Sequence, residues 1–319
     1  MTQTDDFSAL RTAFDEYYYQ KIYPKLAELE PVRLKYLHRF WMLVFLMLIG
    51  LPILILMAFG EVVCTFLVNA YYQDSGEFIK NCFLGVCLLL FILGMPIVYY
   101  KKKVKSSVID DFIGFFGSFK HCDNKRIEDK IINDSLLFGR YNTHKGDDYF
   151  QGVYKNTPMV IAEEELRQKS SKNSVTVFKG IMILIKLPKP VIGQTVVRKD
   201  SGMLNFLNRF KGSLQNIKLE DVVFEKEFEV YGDNQIEARF LLTTAFMERI
   251  LRVKKLFHGK SVEFSFADNS LLIAIRTGKD MFEPSSLFRV TTDKRPVNQV
   301  LEQFLAVFAI ADILKLTQQ

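Results

Sequence analysis

Asp233, Glu237 and Arg239 fall within one short stretch, and they are the residue types that hold and work on a small anion. A guanidinium pairs with a carboxylate or phosphate, and a neighbouring carboxylate can take up or deliver a proton. If the three converge, they would bind an anionic ligand or act on an anionic substrate. Their other use is structural. Arg239 opens onto Phe240-Leu241-Leu242, and a charge drawn into a core has to be paired there. It would then clamp the turn Gly232-Asp233-Asn234 onto a helix beginning near Thr244. Its partner would be Asp233, Glu237 or a carboxylate between Glu225 and Glu229. No nucleophile or metal constellation accompanies these residues, so no catalytic residue is assigned.

The remaining reactive side chains offer less. No P-loop, G-x-S-x-G, H-E-x-x-H or Rossmann glycine pattern occurs. The histidines, His38, His121, His144 and His258, lack ligand spacing. His121-Cys122-Asp123, and His144 with Asp147 and Asp148, read as solvated turns rather than metal sites. Glu163-Glu164-Glu165 reads as a solvated strand end. "FEKEFEVY" alternates apolar and acidic positions and reads as a half-exposed strand, not a carboxylate dyad. Cys64, Cys82, Cys87 and Cys122 form no C-x-x-C pair. Cys64 and Cys82 could pair if their segment faces an oxidising space, and free thiols are the plainer reading. Neither a metal nor a cofactor is expected.

The elements that must carry these residues divide sharply by polarity. The chain has 319 residues and a formal net charge of +6. Lys and Arg alternate with Asp and Glu through most of the second half, which speaks against nucleic acid as a partner. Residues 40–59 and 81–100 contain no charged side chain. At ~1.5 Å per residue each run spans roughly the ~30 Å hydrocarbon core of a bilayer, and a soluble helix is rarely apolar on every side for so long. Two transmembrane helices are expected, dividing the chain into 1–39, 40–100 and 101–319. Lys21, Lys25, Arg33, Lys35 and Arg39 precede the first span, and Lys101, Lys102, Lys103 and Lys105 follow the second. The connection holds Glu61, Asp74 and Glu77 against Lys80. Both termini are therefore expected in the cytoplasm. The four flanking lysines, with Tyr99 and Tyr100 as interfacial aromatics, would also meet anionic membrane lipids. Gly50-Leu51-Pro52 and Gly94-Met95-Pro96 could hinge a lipid-responsive sensor, or be prolines that a bilayer tolerates.

Before the first span, Phe7, Leu10, Phe14, Tyr17, Tyr18, Ile22, Leu26 and Leu29 recur at helical spacing, interrupted by Pro24. Such a stripe needs a partner. A homo-oligomer is one expectation, and packing within the chain is the other. After Ser106 a helix leaves the membrane. Two strands joined at a turn around Asn156-Thr157-Pro158 are predicted across 148–166, further strands across 174–187 and 191–200, and a hairpin at 261–277 turning on Ala267-Asp268-Asn269-Ser270. Helices follow at 244–257 and from Pro296 to about Leu316. The last is apolar enough to resemble a span, but it is short and contains Asp312, so a core helix is predicted. The fold class is α+β with a mainly antiparallel sheet.

Two stretches carry a resemblance. Tyr23 to Glu30 is "YPKLAELE". Between Glu220 and Ile250 stand Phe224, Phe228, Val230, Tyr231, Asp233, Glu237, Ala238, Arg239 and Phe246-Met247-Glu248-Arg249. Together they resemble the bacterial family known as domain of unknown function 3137. Thr244 departs from the proline expected at that helix start, although Thr243 can still cap. The resemblance implies two spans, a cytoplasmic α+β domain, a bacterial inner-membrane location and a LemA-like membrane protein as partner. It implies no activity. The expected role is a non-enzymatic, membrane-anchored module that binds a protein or small ligand. A membrane-tethered enzyme acting through Asp233, Glu237 and Arg239 is the alternative.

Overall fold

The computed structural model describes residues 7–68, 75–122, 125–171, 173–187, 189–199, 214–219, 222–278 and 282–317. The chain forms two compact units. One comprises residues 13–108 and 283–294, the other 1–12, 109–282 and 295–319.

Helix α1 (Ser8–Tyr17) passes through a π-helical turn (Tyr18–Ile22) into α2 (Tyr23–Glu28). Pro24 lies in the first turn of α2, where its missing N–H costs nothing. Of the predicted stripe, Phe14, Tyr18, Ile22 and Leu26 are buried, and Phe7, Leu10, Tyr17 and Leu29 are half-buried. Helices α3 (Glu30–Val68) and α4 (Ser75–Gly114) contain the two uncharged runs and extend beyond them at both ends. The predicted exit helix is therefore the continuation of the helix that carries the second uncharged run. Apolar side chains stand exposed along both, among them Trp41, Phe45, Leu48, Leu56, Phe83, Leu84 and Phe91. The side chains of Cys64 and Cys82 lie outside the described residues, and Cys87 and Cys122 are free thiols.

Residues 283–294 strap this unit together. The Arg33 guanidinium donates to Leu287 O at 3.1 Å, and Glu30 accepts the Thr291 N–H at 2.9 Å. Arg33 and the Thr291 amide hold the Glu30 carboxyl down to about 2. Tyr100 is fully buried with its hydroxyl 2.8 Å from Thr291 Oγ1, which corrects its expected role as an interfacial aromatic. Tyr99 is exposed.

The other unit is built on a nine-stranded sheet with the order β1-β2-β3-β4-β9-β8-β5-β7-β6. The strands are β1 (Lys120–His121), β2 (Thr143–Tyr154), β3 (Thr157–Lys169), β4 (Ser174–Lys186), β5 (Thr195–Lys199), β6 (Gln215–Ile217), β7 (Phe228–Gly232), β8 (Ser261–Ala267) and β9 (Ser270–Arg276). Every pairing is antiparallel. Lys155 and Asn156 both take positive φ, the backbone of a two-residue turn that matches strand twist, and so close the β2–β3 hairpin one residue earlier than predicted, with Thr157 and Pro158 already paired in β3. The β8–β9 hairpin turns at Asp268-Asn269 as predicted.

Both sheet faces are covered. Side chains alternate across the pleat, so Ile181, Ile183 and Ile185 of β4 face one way with Ile161, Ile273, Val262 and Phe264, all buried. Met182 and Leu184 face the other way, in a cluster with Ala162, Leu166, Phe178, Leu272 and Ala274. Ile127, Ile132 and Leu137, from the segment around helix α5 (Asp129–Asp134), close over that second face.

Helix α6 (Val222–Glu227) occupies the first half of the stretch read as one strand, and β7 takes only the second half. After it come α7 (Gln235–Leu241) and α8 (Thr244–Leu256). Thr243 caps α8 by accepting the Phe246 N–H at 3.2 Å. Phe246, Ile250, Val253 and Phe257 are all buried, and Phe246 packs on Phe264 and Phe266. The last helix, α9 (Lys294–Thr317), is the predicted core helix. Two of the described helices are long and apolar enough to cross a membrane. The apolar eighteen-residue window within Phe83–Gly114 is 11% buried, and the one within Lys294–Leu314 is 78% buried. That contrast separates a helix needing an apolar environment from one that the protein itself surrounds.

Candidate functional site

Asp233, Glu237 and Arg239 are close in sequence but do not converge. Asp233 Oδ1 accepts the Gln194 N–H at 2.8 Å, and Glu237 Oε1 faces the Ile192 N–H at 3.5 Å. The two carboxylates thus fix the chain entering β5. Asn234 caps α7 by accepting the Ile236 and Glu237 N–H groups, both at 3.1 Å. Arg239 is exposed, and its guanidinium donates to Lys218 O at 3.3 Å. It is neither buried nor paired with Asp233 or Glu237, so the expected clamp does not form; Asp233 and Asn234 tie the turn to the chain entering β5 and to α7. Lys102 and Lys103 are exposed on α4. Lys101 pairs with Glu283 at 3.5 Å, and Lys105 is half-buried.

The chemistry that does assemble lies elsewhere, on β2, β3 and α5. His144 was expected on a solvated turn with Asp147 and Asp148. It sits instead on β2, with only 3% of its side chain exposed. Its Nε2 is 2.8 Å from Glu164 Oε2, and its Nδ1 is 2.9 Å from Asp129 Oδ1. Glu164 Oε1 also accepts the Ile127 N–H at 2.8 Å, and Tyr141 donates its hydroxyl to Asp129 at 2.8 Å. Glu164 is thus buried and fully engaged, which corrects its reading as part of a solvated strand end; Glu163 is buried too. Asp147 and Asp148 fall where β2 bulges between Gly146 and Tyr149, and Asp148 turns inward to lie 3.5 Å from His121. Asp123 lies outside the described residues.

The electrostatics follow from the contacts. Both ring nitrogens of His144 face carboxylate oxygens, an arrangement only an imidazolium satisfies with two donated hydrogen bonds. Burial opposes the charge, but the bonds and charges of Glu164 and Asp129 outweigh it and raise the His144 pKa. Asp129 moves down: burial pushes it up, and the hydrogen bonds from Tyr141 and His144 prevail. Arg126 reinforces the same crossing by donating to His144 O at 3.2 Å. The array ties the 125–134 segment to the sheet. Nothing in it is placed as a nucleophile, so its chemistry is that of a charged clamp.

A pH dependence follows, and its sign is fixed. A raised histidine pKa contributes stability that is complete below its unfolded value near ~6.5 and disappears as pH rises through the folded value. The lowered Asp129 pKa contributes stability above ~3.9 that disappears as pH falls. Amide exchange at residues 127–134, corrected for intrinsic rate, should therefore lose protection as pH climbs past the His144 pKa, and His144→Gln should abolish that step. Protection in the wild type that is constant from neutral to alkaline pH would show that His144 is not charged.

Beside the clamp a cavity of about 720 Å³ opens between the 125–135 segment and the sheet. Leu184 and Lys186 of β4, Ser265 of β8, and Ser270 and Leu272 of β9 form its floor. A second cavity of about 430 Å³ shares Gln151, Leu184 and Lys186 with it and adds Lys120. Its polar lining comes from residues far apart in sequence that share one sheet face, which only the strand register reveals.

Comparison with known proteins adds the following. No curated protein matches the chain. Among solved structures, the crystal structure of the mycobacterial trehalose monomycolate transport factor A, TtfA, aligns over 65% of this chain and 94% of its own, at 12% identity and a TM-score of 0.33. A likeness at that score carries no argument about this chain. The family model described as protein of unknown function (DUF3137) matches residues 176–316. That stretch runs from β4 to α9 and includes Asp233, Glu237 and Arg239, where the resemblance was read in the sequence, and over those residues the chain is similar to the DUF3137 family.

Proposed function

We propose that the chain is a membrane-anchored, non-enzymatic module of the bacterial inner membrane, with both termini cytoplasmic and an α+β unit that binds a partner protein or a small ligand. The observation that carries this reading is the change of burial along α4. Phe83, Leu84, Leu88, Leu90 and Phe91 are exposed at one end, while Val104, Val108, Phe112 and Ile113 are buried at the other. Five large apolar side chains left in water would cost about 1.5–3 kcal/mol each, a cost that lipid removes. Lys101, Lys102 and Lys103 mark the change of surroundings, and anionic headgroups would hold them. An enzymatic role through Asp233, Glu237 and Arg239 draws no support from their divergent contacts. A LemA-like membrane protein is the proposed class of protein partner.

Single-cysteine variants at Ser75 and Ser171, in an otherwise cysteine-free chain, test the topology in intact cells with a membrane-impermeant thiol reagent. Ser171→Cys should react only after lysis, and Ser75→Cys should react before it. Labelling at position 171 in unbroken cells would overturn the proposal.

A further inference from the structure

We propose that the 720 Å³ cavity between the 125–135 segment and the sheet is a binding site for a small phosphorylated molecule with an apolar body. This deepens the reading of the chain as a binding module and rests on it. Three independent features of the cavity lead to that ligand chemistry.

The first is charge. Lys125, Arg126, Lys130 and Lys186 line the cavity, against Glu128, Asp134 and Asp268. Lys120 joins them in the adjoining space. Among the described residues, Lys120, Lys125, Lys130 and Lys186 pair with no carboxylate. Lys125 donates to Gln151 Oε1 at 3.4 Å, and Lys186 donates to Ser270 Oγ at 3.0 Å. Both ammonium groups are therefore held by neutral acceptors and keep their charge for another partner.

The second is an unsatisfied hydroxyl. Ser265 is 1% exposed, lines the cavity, and its Oγ has no hydrogen-bond partner. A buried hydroxyl without a partner costs about 1–3 kcal/mol, and an anionic oxygen in the cavity would remove that cost. On β8 the side chain shares a face with Ala267, and its register partner Leu272 lies on the cavity floor. Ser270 is also on that floor, so two hydroxyls and the Lys186 ammonium converge from adjacent strands. Such a set of donors suits the several acceptor oxygens of a phosphoryl group better than it suits a single carboxylate.

The third is the apolar wall. Ile127, Ile131, Leu184 and Leu272 line the same space, so a ligand burying only an anion would leave much of it unfilled. An aryl or short alkyl phosphate satisfies both halves. A soluble metabolite and a lipid headgroup can each present this chemistry.

Phenyl phosphate, titrated by calorimetry into the full chain in phosphatidylcholine nanodiscs, tests the site. Saturable binding that weakens with salt is expected, with inorganic phosphate and phenol each binding at least about tenfold more weakly. Lys186→Met should weaken binding about tenfold or more, the loss for one charge-assisted hydrogen bond, and Ser265→Ala about threefold. Lys186 is exposed and Ser265→Ala removes only an unpartnered oxygen, so both variants should fold; amide exchange in β4 and β8 verifies this. Competition by phosphatidate added to the nanodiscs would support the site with a lipid headgroup as its source, and its absence would support it with a soluble one. No saturable binding, or equal binding by folded Lys186→Met, would overturn the site. The topology proposal would be untouched, because labelling at position 171 decides it.

Discussion

Glu164→Ala should release the 125–134 segment from the sheet and cost about 3–5 kcal/mol, the range for removing one partner of a buried ion pair. The magnitude follows from what the carboxylate holds. It receives the Ile127 N–H at 2.8 Å and the His144 ring at 2.8 Å, with none of its own side chain exposed. Truncation leaves a buried amide without an acceptor and an imidazolium with one carboxylate instead of two, so the His144 pKa falls back. Loss of the clamp also withdraws Ile127 from the apolar cluster on that sheet face. Amide exchange in the full chain separates this from general unfolding: protection should collapse first at 127–137 and at β2, while β8 and β9 exchange slowly. Glu164→Gln keeps an acceptor for Ile127 but not the charge, and should recover part of the loss at neutral pH. Glu165→Ala, at a more exposed carboxylate paired with Arg167, should cost less than about 1 kcal/mol. Equal effects at 164 and 165 would show that the clamp contributes nothing.

Why this clamp escaped the sequence, while so much else was legible there, comes down to the distance between partners. The hairpins β2–β3 and β8–β9 could be read because alternation and turn residues are local signals. The same holds for α8, with its cap at Thr243 and its apolar stripe three and four residues apart. Even α9 was separable from a span by one residue, since Asp312 has to find partners. It has Lys155 at 3.1 Å and Tyr154 at 3.0 Å. His144 and Glu164 are twenty residues apart and meet only because β2 pairs with β3, while Asp129 arrives on a separate helix. The register holds one clue. Glu164 lies opposite Gly146 on one side and Gly180 on the other, two positions without side chains that leave room for a buried carboxylate and its ligands. At Gly180 a Cβ would collide with the Ile275 carbonyl, so glycine is required there. The stretch "FEKEFEVY" misled for the opposite reason. Its alternation favoured a strand, yet α6 forms first, and Phe224 stacks on Phe228 from the helix rather than along a strand. Arg239 misled by adjacency, since an arginine next to an apolar run on a short helix can still point to water.

Phe304→Ala should destabilise the sheet unit by about 3–5 kcal/mol, the range for truncating a fully buried aromatic. Phe304 is 0% exposed in the middle of α9. Its ring meets those of Phe112, Phe116, Phe119, Phe150, Phe282 and Phe308, at centroid distances from 5.2 to 6.2 Å. These neighbours come from α4, the segment after it, β2, the stretch following β9, and α9 itself, so one ring holds five parts of the chain in register. Beyond the lost area, each edge-to-face or stacked pair contributes about 0.5–1.5 kcal/mol, and the surrounding rings are too rigid to fill the space. The loss should appear as a lowered unfolding midpoint of the full chain in detergent, with amide protection falling together in α9, β2 and the end of α4. Phe288→Ala removes a ring of the same size that is 53% exposed and should cost less than half as much. Phe304→Leu, which keeps most of the volume, should restore more than half of the loss. If Phe304→Ala and Phe288→Ala prove equally mild, α9 is not the helix on which this unit is built, and its apolar character would again need a bilayer to explain it.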